Sequence, residues 1–178
     1  MPLYLVETVL PPEPQRDAVF ERIDDASTDA GGELIELQAS VDQGRLYAVV
    51  EHDSPDVLET AFGAAELGAF AISEVRLVGP TLDEVKAVRG DAGYLVEWDF
   101  PTDLTMDVYL ANKRAKAPRY AQVPETTFLR TYVCEDMTKC LCFYDAPSEE
   151  AVLRAREAVD TPVSRVGRVK EAPRRVSA

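Results

Sequence analysis

The segment Tyr4-Leu5-Val6-Glu7 near the start of the chain recurs as Tyr94-Leu95-Val96-Glu97 close to its middle. Three residues after each copy the chain has an apolar residue followed by a proline, Leu10-Pro11 and Phe100-Pro101. A match of four residues is weak evidence, but it gains weight because the patterns that follow agree in order. The sequence therefore predicts two copies of one folding unit.

The first copy has the patterns of a strand, a helix, two strands, a helix and a strand. Val19, Ile23 and Ala26 recur at helical spacing, and Gly31-Gly32 is typical of a helix end. Pro55 is expected in the first turn of the second helix, where its missing N–H costs little. Strand patterns follow the opening segment at residues 34–41, 46–51 and 72–78.

The second copy repeats this order with strand patterns at residues 128–134, 140–144 and 163–169. Pro147 is expected in the first turn of its second helix. Its first helix is less clear: Leu104, Val108 and Ala111 predict a short helix, followed by a loop bracketed by two prolines. Both copies thus have the βαββαβ order of the ferredoxin-like fold.

The predicted fold class is α+β, with two tandem ferredoxin-like units packed sheet-to-sheet as a pseudo-dimer. We place copy one at residues 1–80, a linker at 81–92 and copy two at 93–172. Each sheet would have two helices on one face and a bare apolar face, which pairing of the sheets would bury. Two units that hardly touch are the alternative.

The composition excludes some partners. Asp and Glu number 32 against 19 Lys and Arg, a net charge of −13, and residues 1–90 hold 18 of the acids. Such a surface repels nucleic acid and anionic membranes, so we expect neither as a partner. The acidity promotes solubility, and adaptation to high salt or a docking surface on copy one are alternatives.

Targeting and redox signals point to the cytoplasm. The start of the chain lacks a basic region before its short apolar stretch, so no signal peptide is expected. No apolar run approaches the length of a membrane span. Three cysteines cannot form a disulfide framework without a leftover thiol, which favours reduced thiols and a cytoplasmic location.

Copy two resembles a known family through four stretches, Phe128–Val133, Asp136, Lys139–Pro147 and Pro162–Val166. They resemble a small bacterial family of single-unit ferredoxin-like proteins, about half this length, that are described as nickel-binding and form dimers. The resemblance implies the fold, a metal site for nickel or another divalent transition metal, and dimeric association. A homodimer of the predicted pseudo-dimer is therefore left open.

One position departs from that family. Where the family often has a histidine, this chain has Arg130, and the matching place in copy one is Glu36. A guanidinium has no lone pair for a metal and keeps its charge at neutral pH. A histidine-dependent nickel site is therefore not reproduced here as such.

The cysteines are the first metal candidates. Cys140 and Cys142 share one face of a strand because side chains alternate along it. Cys134 joins them if the hairpin loop has five residues, and lies on the other face if it has four. Three converging thiolates would suit zinc, nickel or copper(I), whereas isolated cysteines are small core residues.

Two carboxylates are the next candidates. Glu7 and Glu97 hold equivalent places in the two copies, and both are expected to face the bare side of a sheet. Facing one cavity, they would share a proton or hold a cation, and such pairs act as general acid and base. The alternative is a strand-end glutamate that reaches water or an arginine.

Other polar residues give weaker hypotheses. Arg130, Tyr132 and Tyr144, with Glu97, are the candidate catalytic residues of an enzyme that uses a cavity between the sheets. His52, the only histidine, is expected in a surface loop, with a metal-binding role beside Glu51 and Asp53 as the alternative. Phosphate-loop, dinucleotide and flavin signatures are absent from the sequence.

Three functions follow from these observations. The leading hypothesis is a cytoplasmic protein that binds nickel or a similar divalent metal, with any site in copy two or between the copies. The first alternative is a small-molecule enzyme with its active site between the sheets. The second is an interaction module that docks through the acidic copy one. Whether the protein is an enzyme is left open.

Overall fold

The computed structural model describes residues 1–173, and these residues form an α+β chain with five α-helices and nine strands. The chain divides into two compact units. Unit 1 comprises Met1–Val75 together with the segment that starts at Lys170, and unit 2 comprises Arg76–Val169. No helix within residues 1–173 is long and apolar enough to cross a membrane.

Unit 1 is an antiparallel sheet with two helices. Its strands hydrogen-bond in the order β4-β1-β3-β2-β9. The last three residues of β4 are counted with unit 2. The elements are β1 (Leu3–Val9), α1 (Glu13–Asp29), β2 (Glu33–Ser40), β3 (Arg45–Glu51), α2 (Pro55–Ala64), β4 (Phe70–Val78) and, after unit 2, β9 (Lys170–Glu171).

Unit 2 has the same architecture with one added helix. Its own strands hydrogen-bond antiparallel in the order β8-β5-β7-β6. A 3₁₀ helix, Ala117–Gln122, follows the second α-helix. The elements are α3 (Leu82–Ala87), β5 (Tyr94–Asp99), α4 (Met106–Lys116), β6 (Thr127–Cys134), β7 (Lys139–Asp145), α5 (Glu149–Ala158) and β8 (Arg165–Arg168).

The predicted duplication is visible in the strand pairing. Leu5 lies opposite Val49 in unit 1, and Leu95 lies opposite Phe143 in unit 2. From the second strand of each unit onward, equivalent positions differ by a constant 94 residues, as 49 and 143 do. The tandem ferredoxin-like prediction is therefore confirmed within each unit, whereas the sheet-to-sheet packing stays a prediction.

Even a local irregularity is shared by the two units. The ladder between β2 and β3 shifts register between Leu34 and Glu36, and that between β6 and β7 shifts between Phe128 and Arg130. A β-bulge of this kind inserts one extra residue and re-aims the side chains that follow it. Glu36 and Arg130 are thus structurally equivalent, as the sequence indicated.

Serine caps start the matching helices α2 and α5. Ser54 Oγ accepts a hydrogen bond from the Val57 N–H, and Ser148 Oγ accepts one from the Ala151 N–H. Each bond satisfies a donor that the first helical turn leaves without an intrahelical partner. The prediction for Pro147 was wrong, because this proline precedes the cap and lies outside the first turn.

The first helix of the second repeat differs from its prediction. Helix α4 buries Tyr109, whereas Val108 is about half exposed. The Tyr109 ring packs against Trp98 and Phe100, and an aromatic ring buries more apolar surface than a valine does. The predicted proline-bracketed loop contains the 3₁₀ helix, and the segment predicted as a linker contains α3. The predicted repeat boundaries stay a prediction.

Each unit has its own core between sheet and helices. In unit 1 this core is built almost entirely from hydrocarbon side chains, with the phenol of Tyr4 added; they include Val19, Phe20, Ile23, Leu37, Leu46, Leu58 and Phe62. In unit 2 the corresponding cluster contains thiols and phenols, with Val96, Tyr109, Val133, Cys140, Cys142, Tyr144 and Val152. Because the core of unit 2 contains these polar side chains, it is the candidate location of a functional site.

Candidate functional site

The hairpin register decides where the cysteines lie. Val133 is opposite Cys140 and Thr131 is opposite Cys142, so Cys134 points to the other face of the sheet. The loop between β6 and β7 has four residues. This is the loop length for which the sequence predicted that Cys134 lies on the face opposite Cys140 and Cys142. The structure therefore does not bring the three thiols together.

Cys140 and Cys142 do form a pair. Their Sγ atoms are 3.8 Å apart, and both residues are buried on the sheet face that packs against the helices. Cys142 Sγ also accepts a hydrogen bond from the Thr131 hydroxyl at 3.1 Å. Strand alternation places two thiols on one face, and the opposite strand adds the hydroxyl.

The two thiols ionise at different pH values. The hydrogen bond from Cys140 lowers the pKa of Cys142 well below its usual range; burial opposes this, and the charges of Lys113 and Arg156 add to it. The hydrogen bond to Cys142 and burial raise the pKa of Cys140. Cys142 is therefore the thiol that loses its proton first.

A guanidinium group lies against this pair. Arg156 is 2% exposed, and its Nη1 lies 3.5 Å from Cys142 Sγ. The same nitrogen donates to the Tyr144 hydroxyl at 3.2 Å, and Nη2 donates to the Pro162 carbonyl oxygen at 2.5 Å. Arg156 Nε is buried without a hydrogen-bond partner. Burial opposes the charge of Arg156, yet Cys142 and Tyr144 hold its pKa above the usual value.

Phenol groups complete the cluster. The hydroxyl groups of Tyr120 and Tyr144 are 2.7 Å apart, and Tyr109 is hydrogen-bonded to Cys140. Burial raises the pKa of Tyr120 to about 12, and it raises the pKa values of Tyr109 and Tyr144 as well. All three phenols therefore keep their protons at neutral pH and serve as neutral donors and acceptors.

A small pocket opens beside the cluster. It has a volume of about 50 Å³, enough for a few water molecules. Its walls come from β5, α4, the 3₁₀ helix and α5, and carry three cationic side chains but no carboxylate. The lining residues are Trp98, Leu104, Tyr109, Asn112, Lys113, Lys116, Ala117, Tyr120, Arg156, Val159 and Thr161.

The equivalent positions of unit 1 are apolar. Subtracting 94 from the residue numbers of the cluster residues on β6, β7 and α5 gives positions in unit 1 that are at most 2% exposed and carry hydrocarbon side chains. Thr131, Cys140, Cys142, Tyr144 and Arg156 correspond in this way to Leu37, Leu46, Ala48, Val50 and Phe62. The fold therefore does not need the polar cluster.

The predicted catalytic set is split between the two faces of the unit 2 sheet. Arg130 is opposite Phe143 and Tyr132 is opposite Leu141, whereas Tyr144 points to the helices. Arg130 Nη1 donates to the carboxylate of Asp91 at 3.0 and 3.1 Å, and its guanidinium stacks over the Phe143 ring. The structure thus separates Tyr144 from the other candidates.

Glu97 is held by two cations. Its carboxylate accepts hydrogen bonds from Lys139 Nζ and from Arg165 Nε, each at 2.9 Å, and Arg165 also binds Asp99 through both Nη atoms. Burial alone would raise the pKa of Glu97, but Lys139 and Arg165 together lower it below the usual range. Glu7, its counterpart in unit 1, is also buried. Their joint role stays a prediction.

The expectation that His52 is a surface residue was wrong. The side chain is buried, its Nδ1 accepts the Ser54 N–H at 2.8 Å, and its Nε2 lies 2.7 Å from the Ala30 carbonyl oxygen. Because Nδ1 accepts this hydrogen bond, Nε2 is the nitrogen that donates to the Ala30 carbonyl oxygen. His52 ties the end of α1 to the start of α2.

The donor set does not fit a resident nickel(II) ion. Among residues 1–173, no group of three or more His, Cys, Asp or Glu side chains could hold a metal ion. The cysteine pair offers two sulfur ligands, with a guanidinium rather than a carboxylate beside them. Nickel(II) prefers four or more N, O or S donors, so these residues alone do not complete its coordination.

Sequence reasoning missed Arg156, Tyr109 and Tyr120. A signal for Arg156 was present, since it follows Val152 by four residues and so falls on the apolar stripe of α5. A charged residue within such a stripe is expected to have a buried partner. Neither tyrosine had a comparable signal, because each lies in the segment whose structure was least clear.

Two solved structures share the overall fold. One is titled as "Putative Chlorite dismutase TA0507" and is 11% identical, covering 97% of this chain and 96% of its own, with a TM-score of 0.55. The other is a "putative monooxygenase from Lactobacillus acidophilus NCFM", 11% identical, covering 96% and 92%, with a TM-score of 0.51. At such low identity the similarity shows the fold alone.

The sequence comparisons are more restricted. The search of curated proteins gave no match. The scan against family models gave a match over residues 94–169, which contain the cysteine pair, Arg156 and the pocket. That family is described as "Nickel responsive protein SCO4226-like", and the resemblance drawn from copy two is thereby confirmed for this segment.

Proposed function

We propose that the second repeat binds a thiophilic transition-metal ion between Cys140 and Cys142. The observation that carries this proposal is the 3.8 Å separation of two buried sulfur atoms on one face of β7. Two sulfurs that each lie about 2.3 Å from one ion can be up to about 4.6 Å apart, so a shared ion needs only small side-chain shifts.

The family match supports a metal-related role. The matched residues 94–169 include all three cysteines, and the description of the family names nickel. Nickel(II) is therefore the first ion to test, although any ligands beyond the two sulfurs would have to come from water or added molecules. Zinc(II) and copper(I) are the natural comparisons because both bind thiolate sulfur.

Metal analysis of tag-free, reduced protein tests the proposal. We expect about one ion per chain for at least one of nickel(II), zinc(II) and copper(I), with loss of binding in Cys140→Ser and in Cys142→Ser. Cys134→Ser is the matched control, since it removes a buried thiol from the opposite face. Less than about one tenth of an ion per chain for every ion would refute the proposal.

The pocket supports a second candidate, the binding of a small anion. Lys113, Lys116 and Arg156 line it without any carboxylate, and its volume suits a ligand of a few heavy atoms such as formate or acetate. Calorimetric titration with these anions should give a binding signal that Lys113→Gln weakens. Arg114→Gln is the control, because Arg114 is on the same helix but outside the pocket lining. Equal binding by both variants would refute this candidate.

Three broader hypotheses from the sequence stay predictions. They are enzymatic activity in a cavity between the two sheets, docking of a partner on the acidic first repeat, and a cytoplasmic location. The separation of Tyr144 from Arg130 and Tyr132 removes one residue from the proposed catalytic set. Metal binding is preferred because two thiols are already close enough to share an ion.

A further inference from the structure

We propose that the pocket of unit 2 is a binding site for a short aliphatic monocarboxylate, of the class of acetate and propionate. The inference rests on the second function proposed above, the binding of a small anion, and it names the chemical class of that anion. It assigns Arg156 the role of attracting the carboxylate, and it assigns the apolar part of the lining the role of holding the alkyl group. It does not depend on a metal ion at the cysteine pair.

The first step concerns the charge around the pocket. Lys113, Lys116 and Arg156 line it, and the lining contains no carboxylate. The Lys113 ammonium lies 4.1 Å from the centre of the Phe128 ring, and none of the ion pairs within the described part of the chain includes this lysine. The charge of Lys116 is partly offset, since its Nζ lies 3.8 Å from the carboxylate of Asp160. The potential in the pocket is therefore positive, which favours an anionic ligand.

The second step concerns a free hydrogen-bond donor. Arg156 is 2% exposed, and its Nη1 and Nη2 donate to the Tyr144 hydroxyl and the Pro162 carbonyl oxygen, respectively. Its Nε is buried and has no hydrogen-bond partner. An unpaired buried donor costs free energy, so a donor left over beside a polar pocket indicates a ligand that accepts from it. Because Nε is shielded from solvent, a carboxylate oxygen would reach it after small shifts of the neighbouring side chains.

The third step separates a carboxylate from an inorganic anion. Trp98, Leu104 and Val159 give the pocket an apolar surface in addition to its cationic groups. This surface would remove the alkyl group of a carboxylate from water, whereas nitrate has no alkyl group to bury. Each buried CH₂ group raises the affinity about fourfold, so the lining favours propionate over acetate and acetate over formate.

The volume of the pocket sets the upper size limit. The pocket has about 50 Å³, and a water molecule needs about 10–15 Å³ of such volume, so about three to five non-hydrogen atoms fit. Acetate has four non-hydrogen atoms and propionate has five, whereas benzoate has nine. The site should therefore accept the two short carboxylates and exclude an aromatic one.

Titration of reduced, metal-free wild-type protein at pH 7 tests the ligand class. Calorimetry at constant ionic strength measures the binding of formate, acetate, propionate, benzoate and nitrate. The fluorescence of Trp98, which is the only tryptophan and lines the pocket, reports whether the ligand binds there. We expect the affinity to rise about fourfold from formate to acetate and again to propionate, with nitrate and benzoate bound more weakly than acetate.

The possible outcomes separate this inference from the function on which it rests. Equal affinity for nitrate, formate and propionate would overturn the inference while leaving the binding of a small anion intact. Benzoate binding as tight as propionate binding would also overturn it, because the ligand would then exceed the pocket. Failure of every anion to bind would refute the anion-binding candidate as well.

Two substitutions test the assigned roles of the lining. Val159→Thr keeps the side-chain shape but places a hydroxyl in the apolar surface, so the ratio of propionate to formate affinity should fall toward one. Val163→Thr is the matched control, because Val163 lies outside the pocket lining, and the ratio should stay at the wild-type value. An unchanged ratio in Val159→Thr would overturn the assigned position of the alkyl group.

The role of Arg156 is tested by changing its charge. Arg156→Gln should weaken propionate binding about tenfold or more, with Arg156→Lys closer to wild type. Unit 1 closes its core with Phe62 at the matching position, so the fold does not require an arginine there. If Arg156→Gln nevertheless fails to fold, the ligand series on wild-type protein still decides the class. Wild-type propionate affinity in a folded Arg156→Gln variant would overturn the inference.

Discussion

Replacing Glu97 by glutamine removes one negative charge from a buried network and keeps the shape of the side chain. Glu97 is 2% exposed and accepts one charged hydrogen bond from Lys139 and one from Arg165. A hydrogen bond to a charged group contributes about 1.5–3 kcal/mol. The amide retains one acceptor but places an N–H₂ group against the other cation, so about one such bond is lost.

The partners of Glu97 moderate this loss. The side chains of Lys139 and Arg165 are 19% and 38% exposed, so either can turn toward water when the carboxylate is gone. We therefore expect Glu97→Gln to lower the free energy of unfolding by about 2 kcal/mol at pH 7, below the 3–5 kcal/mol typical of breaking a fully buried pair. The control is Glu135→Gln in the exposed pair with Arg76, where about 0–1 kcal/mol is expected.

The same prediction has a pH dependence with a defined sign. Because Lys139 and Arg165 lower the pKa of folded Glu97, its contribution to stability is fully present above the unfolded value of about 4.3. That contribution is lost as the pH falls through the lower folded pKa. Since glutamine does not titrate, the stability difference between wild type and Glu97→Gln should narrow below about pH 4.

Urea unfolding followed by the fluorescence of Trp98 is a suitable assay. Trp98 is the only tryptophan of the chain, and it neighbours Glu97 on β5, so its signal reports unit 2. A difference within about 0.5 kcal/mol of wild type at pH 7 would refute the reasoning, since that is the range of ordinary surface substitutions. A difference that stays constant down to pH 3 would refute the assigned pKa direction.

The remaining predictions concern packing and hydrogen bonding, and urea unfolding measures each of them. Gly32→Ala should lower the free energy of unfolding by about 1–3 kcal/mol, because the added Cβ would lie 2.8 Å from a backbone carbonyl oxygen. An unchanged free energy of unfolding would contradict this prediction. Gly63→Ala in α2 should raise the free energy of unfolding by about 0.5–1 kcal/mol, since the added Cβ would meet no atom within 4 Å. A lower free energy of unfolding would contradict this prediction. Tyr144→Phe should cost about 1–3 kcal/mol by removing an acceptor of Arg156, and Tyr94→Phe, the control, should cost clearly less.

The duplicated fold was predictable because its signals are local and occur twice. Strand alternation, helical spacing and the helix-start signal at Pro55 fixed the element order, and the second copy reproduced it. The equivalence of Glu36 and Arg130 was also recovered, since both follow a bulge at the same place in the ladder. Local pattern does not encode how one unit packs on another, so that part stays a prediction.

The errors have identifiable physical causes. In α4 the apolar stripe was assigned through Val108, but the larger ring of Tyr109 occupies the core. His52 was expected at the surface, yet it is buried, and its Nε2 binds the Ala30 carbonyl oxygen, which is 22 residues away in sequence. For Cys134 the sequence offered two hairpin loops that place it on opposite faces. The observed loop has Met137 at a positive φ of 59°, a conformation that methionine does not signal.

Comparison of the two units separates what the fold requires from what the site requires. Unit 1 closes its core with Leu46, Ala48 and Phe62 at the places where unit 2 has Cys140, Cys142 and Arg156. Since hydrocarbon side chains complete the same architecture, the buried guanidinium is not there to hold the sheet to its helices. A buried charged group commonly adds less stability than apolar residues of similar volume, so stability alone does not explain Arg156 in this core. Two buried thiols 3.8 Å apart, with a buried guanidinium beside them, have no counterpart at the matching positions of unit 1, and this is why we place the proposed metal site in unit 2.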